Sequence, residues 1–286
     1  MVNSPTLRRR RLSRRMRELR EASGLTAKQV AADAKRRSGK PRGWSDSKVI
    51  RLEKGEWKRL RTDDVHILLD IYGVTDTAER EACAALALES NQQGWWASFD
   101  DVLGSGQFVG LEAEALRIRT YESAAIPGLL QTEDYARAMI RSGGLVEDDT
   151  LQRRVEVRML RQQILTRRDA PTYWAIIDEA ALRRVTAELA DQLEHLLDVG
   201  SRANVGIQVL PFSCGPHTAM TGQFVIMDFP PPDPPAVYLE AMTEELYLEK
   251  PPQIQRYQHI YDYVQAMALS VDESRDYIRH LITSHT

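Results

Sequence analysis

Lysine and arginine, the side chains that neutralise phosphate groups, are concentrated in the first 62 residues of this 286-residue chain. This segment holds 20 Lys and Arg against 6 Asp and Glu, a net charge of +14, whereas the remainder carries −17. A basic module of this size can bind a polyanion, while the acidic remainder is repelled by one. We therefore expect the two parts of the chain to have different functions.

The acidic remainder offers few residues in patterns typical of catalysis. Asp178 and Glu179 are adjacent carboxylates, but they lie where a helix is expected to start, and the helix dipole favours acidic residues there. His217 lies in a predicted loop, where it could line a pocket. The six histidines and two cysteines show no metal-ligand spacing, and no GxSxG, HExxH, Walker or GxGxxG motif is present. We expect no enzyme activity, no cofactor and no metal.

Composition and length set the broad class. With 43% hydrophobic and 28% charged residues the chain is typical of globular proteins, and 286 residues favour two domains. No apolar run is long enough to span a membrane and the arginine-rich N-terminus lacks the apolar core of a secretory signal, so we expect a cytoplasmic, nucleoid-associated protein. The predicted domains are residues 1–75, a helical connector over 76–94, and residues 95–286.

Short helices are predicted throughout the basic module, because its apolar residues recur at helical spacing. Gly24 is expected to end the first helix, and Thr26 to cap the second in a capping box with Gln29. Ser45 is expected to cap the third helix, which ends at Gly55. The predicted helix starts are close to Leu12, Ala27, Ser45 and Thr62.

The third predicted domain begins with helices over residues 95–170, including an amphipathic segment over 111–118, and becomes α/β over 171–286. A strand over 173–177, a helix from Asp178 towards Leu197 and a strand over 205–210 predict a crossover and a parallel pair. Further strands are expected over 223–229, 236–240 and 247–249, before two C-terminal helices. The fold class is therefore multidomain, an all-α bundle followed by an α/β (α+β) domain with a small mixed sheet.

The basic module resembles the Xre family of phage-repressor-like helix-turn-helix regulators. The residues that carry the resemblance are Leu19-Arg20, Gly24-Leu25-Thr26, Val30-Ala31 and the segment Ser45-Asp46-Ser47-Lys48-Val49-Ile50-Arg51-Leu52-Glu53-Lys54-Gly55. The resemblance implies that the third helix enters the major groove of DNA. The roles that it implies are base contacts for Asp46, Ser47 and Arg51, positions near phosphates for Ser45 and Lys48, and an ion pair between Arg20 and Glu53.

Two departures from the family pattern add candidate residues. The segment from Lys35 to Gly43 is longer than the usual turn and could grip a phosphate, with Arg42 as the candidate. Lys28 stands close to where relatives often place a glutamine, and its ammonium could contact the phosphate backbone. The run Arg8–Arg11 is open to two interpretations, a disordered minor-groove arm or a solubilising tail.

The acidic domain resembles the effector-type domain that is fused to Xre modules in actinobacterial regulators, including the WhiJ-like, antitoxin-like proteins. The matching segments are Ile126-Pro127-Gly128-Leu129-Leu130-Gln131-Thr132, Arg161-Gln162, Asp178-Glu179-Ala180-Ala181-Leu182-Arg183, Gln192-Leu193, Ile207-Gln208-Val209-Leu210-Pro211-Phe212 and Tyr238-Leu239-Glu240. This resemblance implies a regulator that many genomes encode beside a small partner protein, and it leaves open what the domain senses.

The leading hypothesis is a transcriptional regulator that binds a double-stranded DNA operator as a homodimer, with an effector or a small partner protein acting on the acidic domain. Trp95, Trp96, His217 and Tyr238 are the candidate effector-pocket residues. One alternative is an antitoxin-like protein that mainly binds a small partner. Another is an enzyme recruited to DNA with a body similar to half of a phospholipase D fold, although His217 lacks the lysine that follows the histidine in that active site.

Overall fold

The computed structural model describes residues 5–39, 43–57, 59–92, 94–104, 106–144, 146–241 and 243–285. The chain divides into two compact units, Met1–Ser98 and Phe99–Thr286. Each unit has its own hydrophobic core, in agreement with the predicted architecture of a helical bundle followed by an α/β unit.

The first unit is a bundle of helices. Its helices are α1 (Pro5–Ala22), α2 (Ala27–Ser38), α3 (Asp46–Glu53), α4 (Thr62–Ile71) and α5 (Thr77–Ser90). The capping box of α2 forms as predicted, because the Gln29 amide donates to the Thr26 hydroxyl and the Thr26 amide donates to the Gln29 side chain. Ser45 caps α3 by accepting a hydrogen bond from the Lys48 amide at 3.1 Å.

The segment predicted as a connector packs into the first unit instead. Cys83 and Ala87 of α5 lie in the same core as Leu12 and Met16 of α1 and Val30 of α2. The side chains that α5 buries are small, so its apolar stripe is weak in the sequence, and its role depends on packing against α1.

Helix α1 starts earlier than predicted, at Pro5 rather than near Leu12. Leu7 is buried, and Arg8 forms an ion pair with Glu89 of α5. The run Arg8–Arg11 therefore belongs to a packed helix, and it is neither a disordered arm nor a solubilising tail. The ion pair joins α1 to a helix that begins about seventy residues further along the chain.

The second unit combines a mixed sheet with helices on both faces. Its helices are α6 (Asp100–Leu103), α7 (Gln107–Glu112), α8 (Glu133–Ser142), α9 (Asp148–Gln162), α10 (Glu179–Arg183), α11 (Asp191–Val199), α12 (Pro251–Met267) and α13 (Val271–His285). Its strands are β1 (Arg117–Glu122), β2 (Thr172–Asp178), β3 (Val205–Leu210), β4 (Phe224–Asp228), β5 (Ala236–Glu240) and β6 (Glu245–Leu248).

Over the described residues the strands form one six-stranded sheet in the order β3-β2-β1-β4-β5-β6. The predicted parallel pair is confirmed, because β2 and β3 run parallel with Tyr173 opposite Val205. The predicted edge strand is also present, as β6. The single helix expected from Asp178 towards Leu197 is replaced by α10, a short 3₁₀ turn and α11.

Strand β1 corrects the prediction of an all-helical segment over 95–170. Residues 111–118 are not one amphipathic helix, because α7 ends at Glu112 and β1 begins at Arg117. β1 pairs with β2 in parallel and with β4 in antiparallel orientation, so it lies inside the sheet. Its period-two pattern spans only six residues between helical segments, and its partners lie at least fifty residues away in the sequence.

The two faces of the sheet have different environments. On one face Tyr121, Ile176 and Phe224 share a core with Tyr261 and Val264 of α12. On the other face Phe108 of α7 packs its ring against Tyr238 of β5, with ring centroids 4.3 Å apart. Neighbouring residues of a strand point to opposite faces of the sheet, so only candidate site residues on the same face can contact one another.

Within the described ranges, no helix combines the length and the apolar character that are needed to cross a membrane.

Candidate nucleic-acid interface

Helices α2 and α3 form the two-helix arrangement at which the sequence places the DNA contacts. Gly39 ends α2 in a left-handed conformation, with φ of +64°, which glycine adopts without a steric penalty. Val49 and Leu52 are buried in the core, so the side of α3 that carries them packs against the rest of the unit. The outer side of α3 is therefore fixed in orientation relative to α2.

A bidentate ion pair holds the end of α3 against α1. The Arg20 guanidinium donates through Nε to Glu53 Oε1 at 2.5 Å and through Nη2 to Oε2 at 2.9 Å, as the family resemblance implies. Glu53 is only 6% exposed, and its hydrogen bond raises the pKa of Arg20. Arg17 adds a bond to the Glu53 carbonyl at 2.9 Å. Paired in this way, the buried carboxylate keeps α3 in place.

The residues predicted to face bases share the exposed side of α3. Asp46, Ser47 and Arg51 are all exposed, and so is Lys54. Ser47 and Arg51 are four residues apart, which places them one above the other on a helix. In the described part of the chain neither Arg51 nor Lys54 has a side-chain partner, so both cations are available to an anionic ligand.

Lys48, predicted to lie near a phosphate, has contacts within the first unit. Its ammonium donates to Asp64 Oδ2 and to the Gly43 carbonyl, both at 3.1 Å, and lies 4.0 Å from the centroid of the buried Trp44 ring. These contacts point Lys48 towards the bundle and tie the start of α3 to α4. Without DNA the Lys48 ammonium therefore has partners inside the unit, and its position near a phosphate stays a prediction.

The remaining predicted contact residues lie around this surface. Lys28 is exposed in the first turn of α2, and Ser45 uses its hydroxyl as an acceptor in the cap of α3. Arg42 lies outside the described residues.

Much of the positive charge on α1 is neutralised within the first unit. Arg8 pairs with Glu89 and Arg15 with Glu79, both glutamates lying on α5, while the Arg9 guanidinium lies 5.1 Å from the centroid of the Trp57 ring. The net charge of +14 over residues 1–62 therefore overstates what this unit offers to a ligand, since α5 lies beyond Thr62. The sequence feature that indicates these ion pairs is the presence of two glutamates, Glu79 and Glu89, on one predicted helix.

The candidate effector residues do not form one site within the second unit. His217 packs edge-on against Tyr121, with ring centroids 5.7 Å apart, whereas Tyr238 packs against Phe108 on the opposite face of the sheet. Trp95 and Trp96 belong to the first unit, where Trp96 is buried and Trp95 is 42% exposed. The structure therefore does not bring His217 and Tyr238 into a shared pocket.

The surroundings of His217 have polar groups but no activated nucleophile among the described residues. Asp178 Oδ1 caps α10 by accepting from the Ala180 amide, and its Oδ2 accepts from the Tyr121 hydroxyl at 3.4 Å and lies 3.9 Å from His217 Nε2. Burial, together with the charge of Asp178, raises the pKa of Cys214. A raised pKa keeps this thiol protonated, which is the opposite of what a nucleophilic cysteine needs.

Several charged residues that the sequence did not predict to be functional lie on the same face of the sheet as Tyr238. Arg161 forms a bidentate pair with Glu112, with both bonds at 2.9 Å. Burial raises the pKa of Glu122 to about 7, although a hydrogen bond from Thr120 opposes the shift. Burial also lowers the pKa of Arg158 to about 10, and Arg158 donates to Gln131 at 2.9 Å. The sequence does not single out Glu112, Glu122, Arg158 or Arg161 as buried, because charged residues are common at such positions on the exposed side of a helix or strand.

Depressions in the described part of the chain differ in size. On the first unit an open depression of about 400 Å³ is lined by Arg37, Asp70, Gly73, Val74, Thr75 and Arg80. A cavity of about 10 Å³ between α11 and α13 is lined by Leu196, Ile207 and Ile278, and it is too small for a ligand. No group of three His, Cys, Asp or Glu side chains within the described ranges could hold a metal ion.

Comparison with protein families agrees with the two units. Residues 11–83 match a family described as a helix-turn-helix domain, and this match spans α2 and α3. Residues 105–280 match a family described as domain of unknown function (DUF5753), and this match spans the whole sheet. No curated protein and no solved structure matches the chain. The chain therefore belongs to the DUF5753 family and carries a helix-turn-helix domain at its N-terminal end.

Proposed function

We propose that this chain is a sequence-specific DNA-binding transcriptional regulator of the Xre type, similar to the WhiJ-like regulators, that inserts α3 into the major groove. The observation that carries the proposal is the exposed side of α3, where the unpaired cations Arg51 and Lys54 lie beside Ser47. A helix held by its core side and by the Arg20–Glu53 pair presents these donors in a fixed arrangement. Arginine can donate two hydrogen bonds to guanine, and lysine can neutralise a phosphate.

We assign dimerisation and regulatory input to the second unit, and no catalysis. Large apolar side chains that this unit exposes, Phe212, Met220, Leu246 and Tyr263, could be covered in a dimer or by a partner. Two linked helix-turn-helix units convert the second contact into an intramolecular one, which raises affinity. Half-sites would then be separated by one helical turn of DNA or a multiple of it.

The test of DNA binding is a genome-wide binding map of the full-length protein, followed by affinity measurements on the strongest site and on a scrambled sequence at equal salt. We expect the specific site to bind at least ~1,000-fold more tightly than random DNA. A matched variant with Arg51 and Lys54 both changed to alanine should keep its fold and lose this preference. Equal affinity for both sequences in the unmodified protein would reject the proposal.

The test of dimerisation is sedimentation of the full-length chain alongside a chain that ends after Ser98. We expect a dimer for the full chain and a monomer that binds the operator more weakly for the shorter one. A monomeric full chain on a symmetric operator would show that the second unit acts by another route.

A further inference from the structure

Ile50 is an apolar side chain in the middle of the exposed surface of α3. It is 43% exposed, whereas its neighbour Val49 and the nearby Leu52 are buried. The core of the first unit, as far as the described residues define it, includes Val49 and Leu52 but not Ile50. Packing within the unit therefore does not account for an isoleucine at this position.

The position of Ile50 along the helix places it among the residues that would contact bases. It follows Asp46 by four residues and precedes Lys54 by four, so these three side chains lie in one row on the helix surface. Ser47 and Arg51 form the adjacent row, and all of these neighbours are exposed and polar. Ile50 is thus an apolar side chain surrounded by hydrogen-bonding groups. A β-branched residue also has a lower helix propensity than leucine or alanine, so helix formation does not favour it here.

We infer that Ile50 recognises the 5-methyl group of a thymine in the major groove, and that it specifies thymine at one position of each half-site. This inference rests on the proposed function, because it requires α3 to lie in the major groove. Thymine is the base of unmodified DNA that presents a methyl group there, and apolar side chains contact it. Phosphates and the other base edges are polar or charged, and they offer Ile50 no comparable partner.

The size of the effect follows from the burial of one methyl group. Removing a methyl that is buried against an apolar side chain corresponds to about a fourfold loss of affinity. The contact would act next to the hydrogen bonds of Ser47 and Arg51, so it would add a thymine preference to the neighbouring base preferences.

The experiment replaces each thymine of the operator, one at a time, by deoxyuridine, which lacks only the methyl group and keeps its base pairing. Affinities are measured for the full-length protein and for its Ile50→Ala, Ile50→Val and Leu88→Ala variants. Leu88 lies on α5 and is 64% exposed, so Leu88→Ala is the matched control for removing an exposed apolar side chain. Thermal unfolding of each variant checks that the bundle remains folded.

We expect one thymine per half-site at which deoxyuridine weakens binding by the unmodified protein about fourfold. Ile50→Ala should lose this difference at that position alone, Ile50→Val should keep part of it, and Leu88→Ala should keep all of it. Replacing the same thymine by 5-methylcytosine should recover more affinity than replacing it by cytosine.

Two outcomes would overturn the inference while leaving the proposed function intact. In the first, the protein binds its operator specifically and no deoxyuridine substitution weakens binding. In the second, Ile50→Ala retains every deoxyuridine effect of the unmodified protein. A failure to find any sequence-specific binding would instead reject the proposed function, and the inference with it.

Discussion

The two units of this chain bury charge in the same way but differ in where their unpaired surface cations lie. Each contains a bidentate pair between a helix arginine and a buried glutamate, Arg20–Glu53 in the first unit and Arg161–Glu112 in the second. On the surface of the second unit, Arg117, Arg153 and Arg183 pair with Asp228, Asp101 and Glu179. Its exposed cations without a side-chain partner among the described residues lie on separate segments and include Arg168, Arg202 and Arg256.

The first unit has unpaired cations at α3 and at the start of α2. Lys28, Arg51 and Lys54 are exposed and have no side-chain partner among the described residues, whereas Arg8 and Arg15 of α1 pair with glutamates of α5. Unpaired cations that lie together at one helix, as Arg51 and Lys54 do at α3, favour a polyanionic ligand, whereas paired cations stabilise a fold. We therefore base the proposed interface on the position of the unpaired cations at α3, rather than on the net charge of the unit.

The largest expected effect tests the shared feature of the two units. Glu53→Ala and Glu112→Ala each leave a guanidinium without its carboxylate, so each should lower the free energy of unfolding of its unit by about 3–5 kcal/mol. Chemical unfolding of the full chain checks both variants. The double change Arg20→Met with Glu53→Leu should cost much less than Glu53→Ala, because no charge remains unpaired. An unchanged unfolding midpoint for Glu53→Ala would mean that water replaces the lost partner.

The next prediction concerns Glu122 of the second unit, a buried carboxylate that has no bidentate arginine partner among the described residues. The pKa of Glu122 is raised to about 7, above its ordinary value, so the folded state binds a proton more readily than the unfolded state. Stability should therefore fall as pH rises from about 4.5 to about 7. Glu122→Gln should remove this loss and raise the free energy of unfolding at pH 8 by at most ~3 kcal/mol.

Unfolding of Glu122→Gln and of the unmodified chain at pH 5 and pH 8 checks this prediction. Glu240 is an exposed carboxylate near Glu122, so Glu240→Gln is the control and should change the pH dependence much less. The same stability difference between Glu122→Gln and the unmodified chain at both pH values would contradict the raised pKa.

A smaller effect tests the free cations of the first unit. Arg51→Ala should weaken binding to the specific operator by about 1–3 kcal/mol and relax the preference at one base position, because arginine can donate to both guanine acceptors. The comparison of specific with random DNA at fixed salt measures it. An equal loss of affinity for specific and for random DNA would mean that Arg51 contacts a phosphate and not a base. Arg15→Ala, which removes an arginine already paired with Glu79, is the matched control and should leave the base preference unchanged.

Local features of the first unit could be predicted from the sequence because their determinants are adjacent in the chain. The caps at Thr26 and Ser45 depend on residues three positions away, and the structure contains both. The Arg20–Glu53 pair spans 33 residues, and only the family resemblance pointed to it.

The features that were missed depend on partners far away in the sequence or on ambiguous patterns. β1 is a short strand whose neighbours β2 and β4 lie more than fifty residues further along, and Lys48 is turned inward by Asp64. Ile50 lies beside Val49 in the sequence, where an apolar residue of an amphipathic helix is usually assigned to the core. In the second unit the opposite placement of His217 and Tyr238 depends on strand register, which composition does not reveal.

The last prediction contrasts Lys48 of α3 with Lys54, which immediately follows α3. Lys54 is exposed at the end of α3 without a described partner, whereas Lys48 is held by Asp64, Gly43 and Trp44. If Lys54 contacts a phosphate, Lys54→Ala should reduce the slope of log affinity against log salt by about 0.9, since one fewer counterion is released. Lys48→Ala should leave the slope unchanged and instead lower the free energy of unfolding by about 0.5–1 kcal/mol.

Binding measured at four or more salt concentrations, together with thermal unfolding, separates these two roles. The slope depends only on the number of phosphates neutralised, so it is insensitive to small changes in fold stability while the unit remains folded. A reduced salt-dependence slope for Lys48→Ala would mean that the Lys48 ammonium leaves Asp64 when DNA binds. Lys48 would then be a phosphate contact that forms only in the complex. An unchanged slope for both variants would move the phosphate contacts away from α3, towards Lys28 and the start of α2.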